Sequence, residues 1–268
     1  GSRRLSGRTM MSRAAILPAG GDPFLNAFWL RHYERWADQV DELHLLICGQ
    51  TMAPVIDYIR AKVRALPNVV LHENPHRLDH GAALRFLVDW TTADHLLFCE
   101  DDAFVRHPQA IGEAFARIES GEVDIVGSPR NSASGEVVEA ADARFGTTPA
   151  TSTCEVGHAF WPAFLFVRKA DLLRTDQWYG AQRWLPGDTI PGLDHTVRAE
   201  AAADTLASTS YQLRALGLQG QFNTAELVLH RDCFYDGNCP VPYVADTLVQ
   251  DVKEFLDAVE QIAGEVRR

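Results

Sequence analysis

The amino-acid sequence predicts an α/β fold, a mixed and mainly parallel sheet flanked by helices. Short apolar runs in the first half alternate with amphipathic helical segments, and each connection is long enough to cross back over a sheet. One of these runs stops abruptly in Glu100-Asp101-Asp102, at a carboxyl strand end where α/β sheets meet their ligands. The 268 residues, 46% hydrophobic and 23% charged, fit one large domain or two small ones and exclude disorder, collagen and coiled coil.

The first strand is expected over 14–17, followed by a Gly20-Gly21 turn, Asp22 as cap and Pro23 in the first helical turn. Leu25, Phe28, Trp29, His32 and Trp36 then recur at helical spacing. A second strand, 43–48, leads through Gly49 and Thr51 into a helix built on Val55, Ile56, Ile59, Val63 and Leu66, which Pro67 stops. The third strand, 69–72, precedes a helix over 79–90 with Ala83, Phe86, Leu87 and Trp90 turned inward. Strand four is 95–99. Pro108 opens another helix, with Ile111, Phe115 and Ile118 on one face and Gly121 at its end, before a fifth strand over 123–126.

The second half is less regular. Residues 128–157 are rich in Ser, Thr and Gly, 160–167 form an aromatic run that also reads as a strand, and 184–192 read as a loop with two prolines. From Asp194 to about Leu216 the pattern is mostly helical, 226–229 form a late strand, and 243–266 an amphipathic terminal helix on Val244, Leu248, Val252, Phe255, Val259 and Ile262. There is no internal repeat and no linker. The expected organisation is a tag or disordered stretch over 1–10 and a single domain over 11–268, with 11–128 and 129–268 as its two halves.

The 25 basic and 36 acidic side chains give a net charge of −11, which argues against bulk nucleic-acid binding and leaves a local basic groove open. Residues 1–10 lack the apolar segment of a secretory signal, and no apolar run approaches the roughly 18–20 residues that span a bilayer. Five cysteines form an odd set without a C-x-x-C pair, and a reducing cytoplasm is the expected setting.

Three consecutive carboxylates after a buried strand repel one another, and a divalent cation such as Mg²⁺ or Mn²⁺ would neutralise them while bridging to a diphosphate. The alternative is a solvated turn in which Asp101 or Asp102 caps the next helix. The stretch His80-Gly81-Ala82-Ala83-Leu84-Arg85, followed by Ala93-Asp94-His95-Leu96-Leu97-Phe98-Cys99-Glu100-Asp101-Asp102, resembles the GT-A glycosyltransferases, particularly the large family-2 type. The resemblance includes the opening strand Ile16-Leu17-Pro18-Ala19 and covers roughly the first half of the chain.

It implies a GT-A (Rossmann-like) fold and transfer of a sugar from a nucleotide-diphosphate sugar, a UDP-sugar as the first expectation. Asp102 would then bind Mn²⁺ or Mg²⁺, and Glu100, Asp101, Ala19, Gly20, Gly81 and Arg85 would line the donor. Glu100 departs from the usual Asp, and Cys48-Gly49-Gln50 stands where the family often has Asp residues that recognise the base. An inverting transfer needs a carboxylate base, and Gly192-Leu193-Asp194-His195 resembles the family's acidic motif. Asp194 is therefore either that base or a simple helix cap. His230 is either a further metal ligand or a hydrogen-bonded structural residue, and His158 is a second candidate. Trp161, Phe164, Trp178 and Trp184 either line an acceptor groove or belong to the core.

The expected partners are a nucleotide sugar and a hydroxyl-bearing acceptor: a glycan, lipid, protein or modified nucleic-acid base. Two other readings compete. A nucleotidyltransferase would need a basic glycine-rich signature that Pro18-Ala19-Gly20-Gly21 lacks, and a non-catalytic sugar-binding protein would fit the missing base-recognition acid.

Overall fold

In a computed structural model the chain is described over residues 11–19, 23–49, 53–105, 107–129, 133–146, 158–222 and 228–230, and at 257, 261 and 264. The Gly20-Gly21 turn, the Asp22 cap and most of the expected terminal helix lie outside these residues, although Asp257, Gln261 and Gly264 are helical.

The first half follows the expected alternation: β1 (Arg13–Ala19), α1 (Pro23–Tyr33), β2 (Glu42–Cys48), α2 (Ala53–Ala65), β3 (Val69–Asn74), α3 (His80–Trp90) and β4 (His95–Cys99). Asp79 caps α3, its Oδ1 accepting the Ala82 amide at 3.0 Å. A short strand the sequence did not announce, β5 (Ala103–Val105), precedes α4 (Gln109–Glu119). Gly121, at φ +75°, supplies the left-handed residue that ends α4. The strand β6 occupies Ile125–Pro129, two residues later than the apolar pattern suggested.

The seven-stranded sheet has the order β12-β6-β7-β4-β1-β2-β3, where β7 is Phe160–Arg168 and β12 is Gly220–Phe222. The strands β3, β2, β1 and β4 are mutually parallel, β7 runs against both β4 and β6, and β12 is parallel to β6. Alternation along each strand splits the core in two. Ala15, Leu17 and Ala19 of β1 face α1, α2 and α4, whereas Ala14 and Ile16 face α3 and the helices of the second half. Pro129 at the end of β6 pairs with Phe160 at the start of β7.

Three second-half expectations are corrected. The Ser/Thr/Gly-rich stretch contains a helix, α5 (Gly135–Phe145), with Val137, Ala140 and Ala141 buried. The region from Asp194 to Leu216 is not mostly helical: after α6 (Lys169–Leu172) come β8 (Gln182–Trp184), β9 (Thr189–Ile190), β10 (His195–Thr196) and β11 (Ala201–Ala203), and only α7 (Ala207–Ala215) is helix. The left-handed backbone of Gly192 (φ +82°) and Asp194 (φ +52°) turns the chain back into a β9–β10 hairpin. The alanine run that favours helix locally pairs with β8 instead, burying Ala201 and Ala203 beside Trp184 in a smaller core. The loop expected over 184–192 likewise contains β9. The late strand is β13 (Val228–His230), and it pairs with β5.

The absence of a side chain at Gly81 is a packing requirement, because a Cβ there would collide with the Gly180 backbone. Gly81→Ala is expected to lower unfolding free energy by about 2 kcal/mol through overpacking, read as an earlier urea midpoint at unchanged m-value.

Candidate active site

The chain runs outward from β1 through β2 to β3, then returns to β4 on the other side of β1. That reversal opens a crevice at the carboxyl ends of β1 and β4, the usual ligand position of an open α/β sheet. Ile16 pairs with Phe98, so β4 ends at Cys99 while β1 continues to the buried Ala19. Glu100, Asp101 and Asp102 therefore leave the sheet at the crevice, all three partly buried.

The segment just after the acidic turn is firmly held. The Trp29 indole Nε1 on α1 donates to the Ala103 carbonyl at 3.0 Å, and the Val105 amide donates to His32 Nε2 at 2.9 Å. Phe28 meets the Phe104 ring edge-on, with centroids 5.0 Å apart. The other edge of β5 pairs with β13, bringing His230 opposite Ala103, the neighbour of Asp102. Because His32 Nε2 accepts this hydrogen bond, the imidazole must be neutral, and burial lowers its pKa to about 4, with Arg35 adding to the effect.

The first turn of α3 forms the other wall. His80 Nδ1 lies 3.9 Å from Glu100 Oε1. Burial lowers the His80 pKa, while the charges of Asp204, Asp102 and Asp79 pull it upward. Asp204, between β11 and α7, was not singled out in the sequence, and its field reaches the same imidazole as that of Asp102. Its position just before a helix was hidden by the alanine run, which reads as helix interior.

Asp194 is placed differently. It lies in the β9–β10 turn, 76% exposed at the side chain and paired with Arg144 of α5. It caps no helix, which corrects that alternative; the left-handed turn through Gly192 and Asp194 leads into a strand instead. Glu136 fastens this hairpin by accepting from His195 Nε2 at 2.9 Å and from the Arg198 amide at 2.8 Å. The His195 bond is the main reason its carboxyl is pushed down to about 2.

Arg85 is engaged with Asp89 Oδ2 at 2.8 Å and with the Gln177 carbonyl at 3.3 Å, so it fastens α3 to the following loop. Gly81 is taken up by its packing on Gly180. Gly20 lies outside the described residues. His158 is buried, with Nε2 2.9 Å from Asp142 Oδ1. Beyond β2, burial raises the Cys48 thiol pKa; Asp101 adds to this and Arg77 opposes it. The backbone of Arg77 packs on Gly49, where a Cβ would lie 2.9 Å from Arg77 Cβ. Asn26 of α1 is wholly buried, and neither amide atom has a hydrogen-bond partner among the described residues. Such an orphaned amide fits a polar ligand group.

The donor set suits a hard divalent cation. Among the described residues no three His, Cys, Asp or Glu side chains form a metal cage by themselves. Ions such as Mg²⁺ are commonly held by one or two carboxylates plus substrate phosphates, and the acidic turn offers carboxylates of that kind.

This sheet, with β7 reversed within a parallel array and an acidic turn at the switch point, is the GT-A fold. No protein-family model matches the chain, and no curated protein matches it in sequence. Among solved structures, a mannosyltransferase from Pyrobaculum calidifontis in complex with GDP-Man and Mn²⁺ is similar at 13% identity and a TM-score of 0.54 over 81% of this chain. The chain spans only 56% of that enzyme's length. Glucosyl-3-phosphoglycerate synthase from Mycobacterium tuberculosis is similar in two complexes. With Mn²⁺, UDP and phosphoglyceric acid the values are 18% identity and TM-score 0.51, covering 93% of this chain and 79% of the synthase. With Mg²⁺ and UDP they are 15% and 0.53, covering 83% and 72%.

The His32 contact predicts a pH dependence. The folded protein holds the imidazole at a pKa of about 4 against 6.5 when unfolded, so unfolding takes up a proton between those values. Stability is therefore expected to fall as pH drops from 6.5 toward 4, by about 3 kcal/mol from this group and no further below. Urea unfolding across that window is the measurement. His32→Gln, which keeps an acceptor for Val105 but does not titrate, is expected to flatten that part of the slope.

Proposed function

We propose that the chain is a metal-dependent glycosyltransferase that moves a sugar from a nucleotide-diphosphate sugar, a UDP-sugar in the first instance, to an acceptor hydroxyl with inversion. The observation that carries this reading is the acidic turn at the switch point of a GT-A sheet, with His80 Nδ1 3.9 Å from Glu100 beside it. Support comes from neighbours of the same fold solved with GDP-Man and Mn²⁺ or with UDP and Mg²⁺. Residues 11–128 would form the donor half and 129–268 the acceptor half of one domain.

Asp102 and His230 are the residues that would hold Mn²⁺ or Mg²⁺. Such an ion supplies positive charge against the departing diphosphate. Glu100 and Asp101 accept hydrogen bonds from the ribose or donor sugar, and the chain at Ala19 and Gly20 lies against the nucleotide. Arg85, which also holds Asp89 and the Gln177 carbonyl, is the donor-side cation of this reading.

As the acceptor oxygen attacks the anomeric carbon, the bond to the diphosphate breaks and the hydroxyl proton passes to a carboxylate. We assign that role to Asp204, whose segment is joined to the amino end of α3 where the Leu206 amide donates to the Tyr179 carbonyl and Gly180 abuts Gly81, whereas Asp194 is tied to Arg144. The acceptor is a glycan, lipid, protein or modified base. The described residues contain no helix long and apolar enough to cross a membrane. The buried free thiols of Cys48 and Cys99 support a cytoplasmic setting.

Donor turnover across a panel of nucleotide sugars with Mn²⁺ tests the reading. EDTA is expected to abolish turnover, readded Mn²⁺ to restore it, and Asp102→Asn to mimic the loss; turnover indifferent to all three removes the metal. Preference for nucleoside triphosphates over nucleotide sugars favours a nucleotidyltransferase instead. Asp204→Asn is expected to lower kcat by about 10²-fold or more, while Asp194→Asn leaves it within a few-fold. The reverse ranking returns the base to Asp194.

A further inference from the structure

Of the four aromatic residues that could face a sugar, three are taken up by packing. Phe164 lies in the main core, Trp184 in the smaller one, and Trp161 packs against the main core. Trp178 is 48% exposed. Exposure alone means little, but this residue is fixed from several sides. Its amide donates to Asp176 Oδ1 at 3.0 Å, its carbonyl accepts Thr209 Oγ1 at 2.9 Å, and the neighbouring Tyr179 carbonyl accepts the Leu206 amide at 2.9 Å. The indole Nε1 reaches toward the Ala181 carbonyl at 3.4 Å. The loop is thus bound to α7 and to the segment just after Asp204.

Its other side lies on α3. Gly180 abuts Gly81, and a Cβ at Gly180 would lie 3.4 Å from Trp178 Cζ2 and 3.5 Å from Asp79 Oδ1. The indole and the Asp79 carboxylate therefore flank one point, next in sequence to His80, which contacts Glu100. A rigid, half-exposed aromatic face beside a carboxylate matches the chemistry of a pyranose, whose C–H face covers an apolar ring while its hydroxyls donate to nearby oxygens.

We infer that Trp178 is a stacking platform for a pyranose ring bound beside Asp79, belonging either to the donor or to the acceptor. The inference rests on the glycosyltransferase reading and adds to it a residue that selects for sugar. Its structural basis is the half-exposed indole on a loop whose backbone is tied to α7 and to the segment just after Asp204.

Calorimetric titration of wild type, Trp178→Ala and Trp178→Phe tests it in two arms. The donor arm compares UDP-glucose with UDP and GDP-mannose with GDP, all with Mn²⁺. The acceptor arm titrates methyl glucoside, methyl mannoside and maltose without nucleotide. Trp178→Ala is expected to lose about tenfold in affinity for the sugar-bearing ligands of one arm, with UDP and GDP binding unchanged and Trp178→Phe retaining most of the wild-type value. The arm that responds identifies the source of the ring. Equal sugar affinity of the alanine variant and wild type in both arms overturns the platform, as does an equal loss of UDP and GDP binding or the absence of any sugar binding by wild type. Failure of wild type to bind UDP or GDP counts against the glycosyltransferase reading, and the acceptor arm still decides the platform. Thermal melts verify that each variant is folded.

Discussion

The carboxyl edge of this protein depends on how the chain leaves β4. Every residue of that strand is buried, and the next three are acids that cannot share its environment. The repulsion among them is tolerated because the turn is restrained on the far side: α1 grips β5 through Trp29 and His32, and β13 pairs with the opposite edge. Without this restraint the carboxylates would spread into water. With it they stay at the crevice that the sheet topology opens.

The same edge explains the position of α3. Its amino end carries partial positive charge, and Asp79, Glu100 and, through the His80 imidazole, Asp102 and Asp204 gather about it. The close approach of Gly81 to Gly180 brings the loop around Trp178 into the same group. Gly81 thus sets a packing distance, and that distance brings the loop around Trp178 against the amino end of α3.

The first half of the fold was legible because each strand and helix is long enough for its periodicity to register; β4 in particular matches its apolar run at both ends. In the second half β7 and β13 were legible too, and the rest was not, for identifiable reasons. Three-residue strands such as β5, β8 and β11 carry too little pattern to be read. The alanines at 199–203 favour a helix locally but gain more by pairing with β8, and this displacement hid Asp204 while drawing attention to Asp194. Asp102 needed only the strand before it to be noticed. Trp178 was one of four aromatic candidates in the sequence, and separating it from the three that pack in or against the cores required knowing which loops meet.

The pairing of Pro129 with Phe160 has a consequence for how such a protein can diversify. The excursion between them, which includes α5, begins and ends at paired positions of adjacent strands, so its closure is already provided by the sheet. Lengthening a segment anchored in this way costs only a slowly growing entropy. Chain length on either side of α5 is thus free to vary, by evolution or by design, while the strand register stays untouched, as long as α5 itself keeps its place in the smaller core.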